Sequence, residues 1–220
     1  MIEITSLSDD RRTYIMEQCD TCENNGKGAD CCKITAKGKC NYMPNRRADK
    51  DGYTMMDSND YGVLLSIHPE WVEKIFSGRK TYEVRKNKPK MEPPFTVYVY
   101  CTLSGKELWK GGIHGNDKLN GKICAEFTCD RIDKIVVRRG MGMVLRRGDE
   151  YIRFGKDNGM CLTKPELYEY IGSGHGYAWH ISDLIVYDKP LALADFTFAG
   201  CVNHLRYAPQ GIVYVNKINR

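Results

Sequence analysis

Lys80, Glu83 and Arg85 lie close together, just after Gly78 and within the alternating run Thr81-Tyr82-Glu83-Val84-Arg85. In extended backbone successive side chains point to opposite faces, so Tyr82 and Val84 point one way and Glu83 and Arg85 the other. An ammonium, a carboxylate and a guanidinium projecting together suit a polar heterocycle that carries a phosphate. The planar guanidinium can fork a phosphate, and the carboxylate can accept from an exocyclic amine. A lysine desolvated beside a carboxylate is also a candidate base. In that hydrolytic reading the catalytic residues are Lys80, Glu83 and, from another strand, Glu126. The bland alternative is a solvated strand face whose Glu–Arg pair contributes little.

A second constellation lies earlier in the chain. Cys19, Cys22, Cys31, Cys32 and Cys40 are five of the ten cysteines. A Cys-x-x-Cys pair places two thiolates on one tetrahedral ion, and a second pair such as Cys32 with Cys40 would close the site. Adjacent cysteines rarely bind one ion together, so four of the five are expected to ligate. Zinc is the expected ion, with an iron–sulfur cluster as the alternative. Residues 1–60 hold few bulky aliphatics and cannot order themselves by apolar burial alone, and a metal supplies the missing cohesion. Without a metal the segment reads as a reduced, disordered tail. Cys101, Cys124, Cys129, Cys161 and Cys201 stand mostly in apolar surroundings and read as small buried hydrophobes.

The net charge is +5, and all of the excess lies in the second part of the chain: residues 1–60 carry nine basic and eleven acidic side chains, residues 61–220 carry 24 and 17. That favours an acidic partner such as RNA, single-stranded nucleic acid or a nucleotide. Arg138, Arg139, Arg146 and Arg147 surround Gly140-Met141-Gly142-Met143, which reads as a flexible basic hairpin able to track phosphates, or else as a solubilising tip. The five histidines share no ligand spacing, and Gly172-Ser173-Gly174-His175-Gly176 lacks the lysine of a phosphate loop. It reads as a loop flanking the cleft.

These groups need a frame. Val63 to Ile67 is a short apolar strand, and Pro69 opens a helix whose apolar face is Trp71, Val72, Ile75 and Phe76, with Gly78 at its end. Strands are expected at Thr81–Arg85, Phe95–Cys101, Lys122–Cys129, Ile132–Arg138, Tyr177–Tyr187 (bent) and Ile212–Val215. A second helix is expected at Lys164–Ile171, with Thr163 and Glu166 at capping-box spacing. Residues 1–60 then form a cysteine-rich extension and linker, and residues 61–220 one α+β domain. No run of about 18 apolar residues is present and Met1 to Arg12 lacks an apolar signal core, so a cytoplasmic protein without a membrane partner is expected.

The order of the motifs carries a resemblance. A strand ending in Ser66-Ile67-His68-Pro69, a helix ending at Gly78-Arg79-Lys80, and Glu83-Val84-Arg85 on the next strand are similar to the ASCH domain family, a branch of the PUA-like fold. Gly121-Lys122-Ile123-Cys124-Ala125-Glu126-Phe127, Trp179-His180-Ile181-Ser182-Asp183-Leu184 and Tyr187-Asp188-Lys189-Pro190 extend the likeness. Ala208-Pro209-Gln210-Gly211 through Val215 resembles phage and prophage members. The resemblance implies a mixed β-barrel with short flanking helices over 61–220. It also implies either RNA or modified-nucleoside binding, through Lys80, Glu83 and Arg85, or an amidohydrolase that deacetylates acetylcytidine. In such hydrolases a threonine stands three residues after the lysine. Here that slot holds Glu83, and Thr81 follows Lys80 directly. A third reading is a phage protein that binds a host protein, with the cysteine segment as its docking element.

Overall fold

Pro69 presets the first helical turn, where a missing N–H costs nothing, and the strand–helix–strand unit around it is the organising piece of the fold. The computed structural model describes residues 58–111, 116–154, 158–172, 174–200 and 202–218, with the backbone of 46–48 and 54–56. Those two short segments, β1 (Arg46–Ala48) and β2 (Thr54–Met56), pair antiparallel inside the stretch expected to be linker.

The next elements are β3 (Tyr61–Ile67), α1 (Pro69–Phe76), β4 (Tyr82–Arg85), β5 (Phe95–Cys101), β6 (Ile123–Cys129) and β7 (Ile132–Arg138). Then come β8 (Gly142–Arg147), β9 (Glu150–Arg153), α2 (Lys164–Ile171), β10 (Gly176–His180), β11 (Ser182–Leu191) and β12 (Val213–Asn216). The strands form two five-stranded sheets. The first has the order β4-β10-β7-β8-β9, the second β11-β6-β5-β3-β12, and neither closes on itself. The expected barrel is thus seen as two open sheets. β3 and β5 run parallel, with α1 and β4 in the crossover between them.

Three apolar clusters fix the layers. Val63, Leu65, Val97, Val99, Phe127 and Trp179 fill the inner core between the sheets, and α1 adds Val72 and Ile75. Leu64, Tyr98, Tyr187 and Phe196 cover the outer face of the second sheet. Val84, Ile135, Leu145 and Ala178 pack on the outer face of the first sheet beneath Leu167 and Ile171 of α2. That helix has the expected capping box, with the Thr163 hydroxyl accepting from the Glu166 amide and the Glu166 carboxylate from the Thr163 amide.

Two expectations change. The bent strand is two strands, because the chain leaves the first sheet at Ile181 and enters the second at Ser182, with Asp183 at φ 46°. The expected basic hairpin forms as β7 and β8, but it belongs to the first sheet rather than standing free as a tip, and β9 extends the sheet by one further strand. Cys101, Cys124 and Cys129 are buried as expected, and Cys161 is half-buried. Burial pushes the Cys101 and Cys129 thiols up to about 12, so they are inert as nucleophiles near neutrality.

Candidate functional site

Helix α1 ends in a turn that delivers Lys80 to the inner side of β4. Gly78 adopts φ +71°, which costs little without a Cβ. The amides of Ser77, Gly78 and Lys80 donate to the carbonyls of Glu73, Ile75 and Lys74. β4 then alternates as expected. Val84 joins the outer cluster, whereas Glu83 lies opposite Trp179, an inner-core residue.

The three charged side chains meet. Lys80 is 3 % exposed; its Nζ donates to the Met160 carbonyl at 2.9 Å and lies 3.5 Å from Glu83 Oε2. The other carboxylate oxygen is 3.0 Å from Arg85 Nε, a contact that is ionic but misaligned for a hydrogen bond. Arg85 Nη2 donates to the Ser66 carbonyl at 2.8 Å. Glu83 is therefore held between two cations, and the cluster carries a net positive charge on a nearly dry floor.

The segment from Asn158 to Leu162 forms one wall. Both Thr81 and Tyr82 amides donate to the Gly159 carbonyl, at 2.7 and 2.9 Å. Gly159 has φ +68°, and a Cβ there would stand 2.1 Å from Thr81 Oγ1, so only glycine permits this approach. The Asn158 side chain accepts from the Met160 amide and donates to the Leu162 carbonyl, which fixes the Met160 carbonyl that Lys80 uses. The only local mark of this wall in the sequence is the turn dipeptide Asn158-Gly159, to which no role is assigned above.

Aromatic side chains form the rim. Lys80 and Lys74 lie over the Trp71 ring at 5.1 and 4.1 Å, and Lys86 lies over Tyr170 at 5.3 Å. Burial pushes the Tyr170 phenol up; the Arg85 charge opposes and the Glu83 charge adds, which places this α2 residue beside the cluster.

The other expected site residues lie elsewhere. Glu126 points to the outer face of the second sheet, opposite Tyr98, and accepts from the Tyr187 hydroxyl at 2.6 Å. The structure does not bring it to Lys80 and Glu83. Adjacent Arg146 and Arg147 point to opposite faces of β8. Arg147 forks Asp133, which is 1 % exposed, at 2.9 and 2.7 Å. These hydrogen bonds push the Arg147 guanidinium up. Arg131 and Tyr82 complete that network on the outer face. Arg146 donates to the Gly148 carbonyl, Arg138 stacks 3.8 Å over Tyr151, and Arg139 is exposed.

Cys19, Cys22, Cys31, Cys32 and Cys40 lie outside the described residues, as do His114, Ser173 and Cys201. Among the described residues no group of three or more His, Cys, Asp or Glu side chains is placed to hold a metal. No described helix is long and apolar enough to cross a membrane.

Comparison with curated proteins returns no match. Among solved structures, an ASCH protein from Zymomonas mobilis is similar at 17% identity and a TM-score of 0.40, over 69% of this chain and 85% of that one. A point variant of that Zymomonas mobilis protein is similar at 15% identity and the same TM-score of 0.40, over 69% of this chain and 87% of the other. The stretch that builds the charged cluster, residues 65–109, matches the family model of the ASCH domain.

Proposed function

We propose that the domain binds RNA as a single strand, taking one nucleotide at the Lys80–Glu83–Arg85 cluster between Trp71 and Tyr170. One observation carries the reading: a buried carboxylate is clamped by two cations, and the outermost of them, Arg85, is only partly committed. A guanidinium offers five donors. The contacts to Glu83 and Ser66 use Nε and Nη2, which leaves Nη1 without a partner among the described residues. That edge suits a phosphate, Glu83 beside it suits an exocyclic amine, and the rim aromatics suit stacking. The ASCH match over this segment agrees with the reading, since that family includes proteins proposed to bind RNA.

The hydrolase reading is weaker. Lys80 is engaged as a donor to Met160, Glu83 stands in the slot of the threonine, and Glu126 faces away. No acetate release from acetylcytidine is expected. Arg85→Ala is expected to weaken oligoribonucleotide binding by about 1.5–3 kcal/mol, roughly ten- to a hundredfold, as lost hydrogen bonds to a charged group do. Fluorescence anisotropy with labelled RNA measures it, and an unchanged affinity would remove the cluster from the binding site.

For the cysteine-rich segment we propose a zinc site with four thiolates drawn from Cys19, Cys22, Cys31, Cys32 and Cys40, on the strength of their spacing. Elemental analysis of protein purified without added metal is expected to find zinc, and chelation to release it and free the thiols. Protein free of zinc and iron, with all five thiols titrating in the native state, would refute the site.

A further inference from the structure

The sheet face that carries Arg85 continues beyond the cluster. Arg85 pairs with Tyr177, Tyr177 with Lys134, and Lys134 with Arg146. Directly paired residues of neighbouring strands project to one face. The four side chains therefore form one row across β4, β10, β7 and β8, spanning three inter-strand steps of about 4.8 Å, or ~14 Å. Past Arg85 the row sinks into a groove of about 560 Å³, between this face and the β4–β5 connection. Tyr177, Lys134 and Arg146 line it together with Lys88, over a floor that includes Met91 and Ile132, while Arg131 borders it with its guanidinium turned to Tyr82 on the other face.

The groove also holds two acids, of which only Asp130 is closely paired. Glu92 stands 4.0 Å from Lys88, and Asp130 is 2.6 Å from His180 and 3.6 Å from Arg131. The Lys134 side chain, half-buried in the groove, has no ion pair or hydrogen bond among the described residues. Arg146 is close to half exposed, and its nearest carboxylate, the fully exposed Asp149, is 3.9 Å away. Arg147, the next residue, is turned to the other face and neutralised by Asp133. Strand alternation thus splits the two arginines: one braces the sheet, the other faces the groove.

We infer that this groove is the track for the backbone of a single-stranded RNA, resting on the binding reading above. Lys134 and Arg146 take successive phosphates, and Tyr177 offers a stacking face between them and the nucleotide at Arg85. A row this long exceeds what one nucleotide covers, so its ligand is an oligomer rather than a free nucleotide. Stacking on Tyr177 needs an unpaired base, which a duplex does not offer.

The test compares a ribonucleoside monophosphate with an oligoribonucleotide of roughly twelve nucleotides, inside the ~4–16 range of common single-strand sites. For the double variant Lys134→Ala with Arg146→Ala, oligonucleotide affinity is expected to fall at least tenfold at moderate salt. The log–log salt slope should become shallower by about 1.4, or ~0.7 for each lost phosphate contact. Monophosphate affinity should not change. The pair Lys134→Arg with Arg146→Lys keeps both charges and should keep the slope, which separates loss of charge from damage to the hairpin. If the alanine variant binds the oligonucleotide with wild-type affinity and slope while Arg85→Ala weakens it, the groove inference falls and the cluster stands. If the wild-type chain binds no oligonucleotide, both fall.

Discussion

Glu83→Ala is expected to destabilise the domain by about 3–5 kcal/mol, because it breaks a buried ion cluster from its centre. Lys80 is 3 % exposed and would be left with only the Met160 carbonyl as a hydrogen-bonding neighbour. Arg85 would lose its only carboxylate among the described residues. At roughly 2–4 °C per kcal/mol for a domain of this size, the thermal midpoint should drop on the order of 10 °C, as followed by circular dichroism. Lys80→Met should cost far less, since Glu83 keeps Arg85 at 3.0 Å and methionine fills much of the same volume. Asp133→Ala should also cost less than Glu83→Ala. The arginines it would abandon, Arg131 and Arg147, are 36% and 43% exposed and can rehydrate. If Glu83→Ala melts like the wild type, Lys80 must be hydrated, and the nearly dry floor described above is wrong.

The second large effect belongs to Trp179, the cross-strand neighbour of Glu83. Its side chain is fully buried and meets Phe95 edge to face at 5.7 Å. Trp179→Ala is expected to cost about 3–5 kcal/mol through lost contacts and the cavity left behind. The indole Nε1 is buried without a hydrogen-bond partner. Trp179→Phe removes that unsatisfied donor along with part of the ring, so one loss offsets the other and the variant should lie well above the alanine protein in stability. Urea midpoints at unchanged m-values measure both. A phenylalanine variant as weak as the alanine one would show that Nε1 has a partner after all.

What the sequence made legible was local. Pro69, Gly78 and the Tyr82-to-Arg85 alternation located the unit that carries the cluster, and Thr163 with Glu166 located α2, because each signal operates within a few residues. Tertiary partners were not legible in this way. The Met160 carbonyl that receives Lys80 is 80 residues away in the chain. The acid that claims Arg147 is 14 residues away, and the run of arginines around Gly140 does not by itself distinguish Arg147 from Arg146, which has only an exposed acid at 3.9 Å. On the Lys122–Cys129 strand Glu126 alternates with the buried Ala125 and Phe127 and so takes the opposite face. That this was the outer face follows only from how the two sheets pack. The switch of sheets at Ile181 has no local mark strong enough to end a strand. The strand β9 was hidden behind Gly148, which suits a loop equally well.

The position of β3 bears on how the chain can be made. It lies between β5 and β12, with Leu64 opposite Val213 and Gly62 opposite Val215. The first strand of the domain to leave the ribosome is therefore completed by the last. Until residues 213–216 emerge, one side of a strand that is buried on both faces presents unpaired N–H and C=O groups. Unpaired strand edges of this kind make an incomplete chain prone to pairing with other polypeptides. Closing that ladder also spans nearly the whole domain, a high-contact-order step that sets a slow pace for folding compared with forming α1 or the β7–β8 hairpin.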